Sequence, residues 1–372
     1  MKITAVDPIV VELPHPRPYR KAWSPPKALE RSRTMTLVRV RTAEGAVGYG
    51  VMGGDARNAV AAVTPALLGA DSAWLQAHAP AIEAAAAWAV DMALCDLLGK
   101  ETGQPLARLW GICRDRIRAY VSPVVGKPDA ELADDAARYR EEGFTAIKLR
   151  ASRPTMAEDV AMVRAVRERV GESMDILVDA NLAGGVGSGS PRPAWDYARA
   201  RDTARDLHQL GVGWLEEPLP RGDVAAIARL TGEAELAIAG GEGDRGTAAF
   251  VRLLDAGAYD VLQPDCAASA PLSQMRKIAA AAELAGRRFV PHHGACGIGL
   301  AAHLQLCATL TNSPYVEYML DPPYRTVESY QQLHGIIPEP IGIDADGMVR
   351  VPSGPGLGVE IDESRIERYR VA

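Results

Sequence analysis

A chain of 372 residues with net charge −6 and pI near 5.7 offers no basic surface for nucleic acid or an anionic membrane. Its 48% hydrophobic and 24% charged content is ordinary globular usage, and the length suits one large domain plus a smaller one. Five cysteines (95, 113, 266, 296 and 307) form no C-x-x-C pair and read as free thiols of a reducing compartment. The N-terminus has no apolar h-region, and no window approaches the ~18–20 apolar residues of a membrane span. The expectation is a soluble cytoplasmic protein.

Residues 1 to about 50 predict strands. Ile3 to Leu13 alternates loosely, Met35 to Arg41 alternates well, and a second run follows the Glu44-Gly45 turn to Gly50. Residues 14 to 33 are rich in Pro, Arg and Lys and have no period. They read as a long binding loop, with His15, Arg17, Tyr19, Arg20 and Lys21 as candidate contacts to an anionic substrate. From about 56 to 110 the chain is Ala-rich and helical. Ala84 to Leu98 is a strong helix former with Gly99 as its stop.

At Arg118 the texture changes to short apolar runs alternating with amphipathic helical segments such as Asp129–Glu142 and Ala157–Val170. The runs are Arg118–Ser122, Thr145–Leu149, Ile176–Asp179, Gly213–Leu215, Ala237–Gly240, Asp260–Gln263, Arg288–Pro291 and Tyr315–Glu317. Eight strands with helices between them predict βα units and a closed parallel barrel. The run ends carry Lys148, Asp179, Glu216, Glu242, Asp265, His292 and Glu317, each about one βα unit from the next, so all should face one rim. The longest step, from Asp179 to Glu216, contains a Gly-rich stretch, Gly184 to Ser190. It lacks the Lys-Ser/Thr of a P-loop and predicts a flexible loop beside Asp179. After about residue 327 the chain returns to Pro/Gly punctuation and strand-like runs. These cannot extend a closed barrel and are expected to pack back on the first domain.

Three carboxylates (Asp179, Glu216, Glu242) at successive strand ends, without clustered Cys or His, suit a hard divalent cation, Mg2+ best. A cation opposite a basic residue suits removal of a proton next to a carboxylate, because the dianionic enediolate needs stabilising as it forms. Candidate bases are Lys148 and Arg150 on the second strand and His292 or His293 on the seventh. Asp265 could fix the tautomer of an imidazole and raise its basicity. Asn181, just past Asp179, is a further candidate substrate contact.

Several segments together resemble the enolase superfamily, in its mandelate racemase-like subgroup. They are Asp91 to Leu106, Val178-Asp-Ala-Asn181, Trp214-Leu-Glu-Glu-Pro218, Gly240-Gly-Glu-Gly243, Gln263-Pro-Asp265, Val290-Pro-His292 and Pro352 to Gly358. The resemblance implies an α/β fold: a (β/α)7β modified TIM barrel (116–327) under an α+β capping domain (1–115), with the C-terminal segment (328–372) packing back on the cap. It implies one Mg2+ on Asp179, Glu216 and Glu242 and a His292–Asp265 dyad. It also implies a role for Glu317 in hydrogen-bonding a substrate carboxylate, and a homo-oligomer. A Lys or His base working with magnesium is a general property of that superfamily. This chain departs from the pattern at one place. Where relatives carry Lys-x-Lys, it has Lys148-Leu-Arg150. An Arg is a poor base but a good carboxylate clamp. The expectation is therefore a dehydratase of a sugar acid or similar hydroxy acid, with a racemase or epimerase as the alternative and an inactive binding barrel as a remote one.

Overall fold

The computed structural model describes residues 1–25, 27–184 and 195–371. Of the Gly-rich stretch only Gly184 falls among them.

The chain opens with β1 (Ile3–Tyr19), β2 (Glu30–Thr42) and β3 (Val47–Gly53), an antiparallel sheet in that order. The predicted loop at 14–33 is mostly strand. Leu13 pairs with Arg33 and Pro14 with Ser32, and after an irregularity Tyr19 pairs with Glu30. Pro14, Pro16 and Pro18 lack donors and break the ladder, yet their fixed φ keeps the chain extended. The connector is thus shortened to 20–29.

Four helices follow: α1 (Arg57–Leu67), α2 (Leu75–Ala85), α3 (Trp88–Thr102) and α4 (Leu106–Trp110). The predicted single helix from Ala84 is divided by Ala86, at φ 52°. Gly99 does not stop α3; Gly103, at φ 65°, does. Gly99 serves contact instead, since a Cβ there would lie 2.6 Å from the Gln104 carbonyl and closer still to the Gly356 backbone.

Eight parallel strands then alternate with seven helices. They are β4 (Arg116–Val121), α5 (Asp129–Glu141), β5 (Ala146–Arg150), α6 (Met156–Val170), β6 (Asp175–Asp179), α7 (Tyr197–Gln209), β7 (Val212–Glu216), α8 (Val224–Glu233), β8 (Ile238–Gly240), α9 (Thr247–Asp255), β9 (Val261–Leu262), α10 (Leu272–Leu284), β10 (Arg288–Phe289), α11 (Gly297–Cys307) and β11 (Val316–Tyr318). Neighbours run from β10 back to β4, with β11 beside β4. Among the described residues no ladder joins β10 to β11, so the predicted closure is incomplete. At that seam Phe289 N–H donates to the Asn312 carbonyl.

The C-terminal segment does join the sheet. β12 (Met348–Arg350) pairs antiparallel with the first half of β4, Val349 opposite Ile117. Parallel neighbours use only the far end of β4, at Ala119 to Val121, which leaves its start free to bond. The chain next crosses α3, where Leu357 N–H donates to Asp96, and α12 (Glu363–Tyr369) brings Val371 N–H to the Val10 carbonyl of β1.

Strand periodicity builds the barrel interior. Tyr120, Ala146, Leu177, Trp214, Ala239, Val261, Val290 and Tyr315, one per strand or strand end, form a separate apolar cluster. Tyr120, Trp214 and Tyr315 meet edge-on with centroids 5.6 to 6.1 Å apart. Two positions further along stand Ser122, Lys148, Asp179, Glu216, Gly241, Gln263, His292 and Glu317. A polar layer therefore lies directly over an apolar floor.

Candidate active site

The polar layer brings together residues that are far apart in sequence. Asp179 stands opposite Glu216 in register, and Arg150 opposite Asp179. Lys148, fully buried, lies 2.8 Å from Glu216 Oε1, 3.1 Å from Glu317 Oε1 and 3.8 Å from Asp179 Oδ2. Arg150 pairs with Asp179 and donates to Ser122 Oγ at 2.6 Å and the Pro123 carbonyl at 3.2 Å. Glu216 Oε2 accepts from Trp214 at 3.2 Å and Gln263 at 2.8 Å. Asn181 donates from backbone and side chain to Asp179, at 2.7 and 2.8 Å.

Across the layer His292 Nδ1 lies 2.6 Å from Asp265 Oδ2, and its Nε2 lies 3.1 Å from Glu242 Oε2. Asp265 is fixed by Ala267 N–H at 2.7 Å and Gly294 N–H at 3.2 Å. His293 is not on Asp265. Its Nδ1 accepts from Ala295 N–H at 2.9 Å and meets Tyr330 Oη at 3.0 Å.

The expected trio Asp179, Glu216 and Glu242 is not gathered at one point. Among the described residues, the sets that bring three ligand atoms within 4.8 Å of one another are Asp265–Cys266–His303 and Asp265–His292–His293. Each member of the trio leans instead on a cation of the chain: Asp179 on Arg150, Glu216 on Lys148, Glu242 on His292. The donor chemistry nonetheless fits a hard cation. All donors are carboxylate oxygens around adjacent strand ends. Among the described residues, both Glu317 oxygens and Asn181 Oδ1 are buried without a hydrogen-bond partner, although the Lys148 ammonium is within ion-pair reach of Glu317. Burial first, and then the charges of Glu242 and Asp179, push the Glu217 carboxyl well above its usual range.

The same fields act on the other groups. Burial opposes charge on Lys148, but Glu216 and Glu317 outweigh it and hold its pKa above the lysine value. Burial likewise opposes charge on His292, yet Glu242 and Asp265 push its pKa up to about 10. Burial works against the Asp265 anion, and the contact with His292 prevails and holds it well below the usual range. Burial, with the neighbouring His292, drives His293 well below 6.5.

The cap candidates divide. Tyr19 is buried, accepts from Arg325 Nε at 2.6 Å and meets Glu30 at 3.3 Å. His15 meets Tyr19 edge-on with centroids 4.8 Å apart, its pKa lowered to about 4 by burial and Arg325. Lys21 pairs with Glu30 at 2.7 Å. Arg17 is exposed, and Arg20 is exposed on the wall of a cavity of about 650 Å3 that it shares with Lys127, Arg153 and Trp195. Sequence reasoning missed Trp23, whose ring lies under the Arg150 guanidinium at 4.9 Å, and Tyr330, which holds His293. Trp23 sits in an aperiodic segment that carries no signal. Gln263 was visible only inside the Gln-Pro-Asp motif.

Two family models match the chain: "Enolase C-terminal domain-like" over residues 131–365 and "Mandelate racemase / muconate lactonizing enzyme, N-terminal domain" over 14–111. The chain is 30% identical to a D-galactarolactone cycloisomerase of Agrobacterium fabrum, over 100% of its own length and 99% of the relative's. It is 34% identical to an arabinonate dehydratase of Saccharolobus solfataricus, over 76% and 71%. The crystal structure of an L-talarate dehydratase from Polaromonas sp. JS666, complexed with Mg and L-glucarate, superposes with TM-score 0.84 at 27% identity, covering 100% of this chain and 98% of that one.

Proposed function

The chain belongs to the enolase superfamily, in its mandelate racemase-like subgroup, and on that premise we propose that it is a magnesium-dependent dehydratase of a sugar acid or related hydroxy acid. The observation that carries this reading is Arg150. It stands where a second lysine would be needed as base and is fastened to Asp179, Ser122 and Pro123. A guanidinium does not give up its proton at working pH. Lys148 is held charged by Glu216 and Glu317. The His292–Asp265 pair is the proton-transfer group. Glu242, the carboxylate that most raises His292, would be taken up by the Mg2+, which frees Nε2 to accept a proton. One such group suffices for β-elimination, whereas racemisation needs a base on each face.

Asp179, Glu216 and Glu242 would hold the Mg2+, which supplies a preorganised positive charge for the anion that develops when the proton beside a carboxylate leaves. Asp265 accepts the hydrogen bond of His292 Nδ1–H and stays ionised, so Nε2 is the atom that moves a proton. The imidazole removes the α-proton and returns it to the β-hydroxyl, which departs as water; the enol left behind moves its hydroxyl proton to the β-carbon to become a 2-keto-3-deoxy acid. Lys148 and Arg150 neutralise the substrate carboxylate, and Glu317 lies beside Lys148 to hold it.

A second reading, cycloisomerisation of a sugar lactone, is favoured by the relative of that activity that spans the whole chain. It draws on the same single base. Incubation of an acid-sugar and lactone library with the protein and Mg2+ in deuterated water, followed by proton NMR, separates the readings. New methylene signals support dehydration; turnover confined to lactones supports cycloisomerisation. Exchange of the α-proton with all hydroxyls retained would replace both by racemisation.

A further inference from the structure

The corners that follow β6 and β7 are tied to one another by their backbones. Ala180 N–H donates to the Glu216 carbonyl at 2.9 Å, Leu182 N–H to Glu217 at 3.0 Å and Arg221 N–H to Ala183 at 2.8 Å. Asn181 and Glu217 both sit at positive φ, 51° and 47°, which for non-glycine residues persists only where surroundings enforce it. The β8 corner, which carries Glu242, has a side-chain brace. Arg221 Nη2 donates to Glu217 Oε1 at 3.1 Å, and its Nε lies 3.5 Å from Asp244 Oδ2. Between those two acids the guanidinium lies flat against Gly243, so that a Cβ on Gly243 would overlap it. Gly243 directly follows Glu242.

We propose that Arg221 is a positioning residue that braces the Glu242 corner and so sets the affinity of the site for a divalent cation. This rests on the assignment of Asp179, Glu216 and Glu242 as the ligands. Groups that orient metal ligands typically govern affinity by about 10- to 100-fold. Charge alone predicts the reverse, because removing a nearby cation should favour binding of another. Arg221→Gln removes charge together with the brace, whereas Gly243→Ala displaces the guanidinium and keeps its charge, so the second variant isolates geometry.

Two substitutions separate the effects. Arg221→Gln removes the brace at a side chain that is 30% exposed and leaves no core cavity. Gly243→Ala keeps the charge and pushes the guanidinium aside. The full-length protein is titrated calorimetrically with Mg2+ alone and with Mn2+ alone, and thermal midpoints are measured without metal. The expected result is a Kd raised about 10- to 100-fold in both variants, with midpoints close to the parent's. An unchanged or tighter Kd in either variant overturns the positioning role. A parent protein that binds neither ion overturns the ligand assignment itself, and with it this inference.

Discussion

His292 owes its chemistry to two neighbours that pull on different nitrogens. Asp265 holds Nδ1 and Glu242 faces Nε2. The consequence is specific: His292→Asn should reduce kcat by at least about 10²- to 10⁴-fold, the usual worth of a general acid–base group. Mg2+ affinity, carried by other residues, should be nearly unchanged in calorimetry. Retained turnover would move proton transfer elsewhere. The residues of this pair were legible in the sequence, because a strand-end His and a neighbouring strand-end acid lie one βα unit apart. Their rivals differ from them in contacts the sequence does not show: Arg150 is bound on three sides, Lys148 sits between acids, and His293 turns to Tyr330.

At the scale of elements, the helices of the barrel follow their sequence pattern closely, as α5 and α6 do. The cap does not. Proline spacing in β1 masks a strand, because alternation is lost while extended backbone is kept. In α3 a glycine reads as a stop but serves as a contact surface. Gly99→Ala would drive a methyl into the Gly356 backbone and the Gln104 carbonyl. Backbone cannot move aside as a side-chain tip can, so the variant should lose about 1–3 kcal/mol in denaturant unfolding, the usual cost of overpacking. An Ala variant as stable as the parent would show that the C-terminal segment is not seated on α3.

For the molecule as a whole, buried imidazoles set a pH dependence of stability. His303 on α11 is fully buried, accepts from Cys266 N–H at 3.2 Å and has an Nδ1 with no hydrogen-bond partner among the described residues. Burial lowers its pKa from 6.5 to about 4. Above pH 6.5 neither the folded nor the unfolded chain protonates it. Between 6.5 and 4 only the unfolded chain does, so stability is lost as pH falls through that window and no further below it. The loss is on the order of 3 kcal/mol at roughly 1.4 kcal/mol per pKa unit. His303→Gln, compared with the parent from pH 7 to 4, should flatten the slope of the thermal midpoint; an identical slope would contradict this origin.

The sequence by itself determined the alternation of strands and helices, the strand-end acids and the imidazole, because period and spacing are local properties that each segment must satisfy alone. Only the tertiary structure decided that an apolar ring beneath lifts those side chains into one layer, which cation each acid leans on, and which part of the cap reaches Arg150. Those depend on pairings across up to three hundred residues, where packing and charge compensation choose among arrangements that local pattern leaves equal.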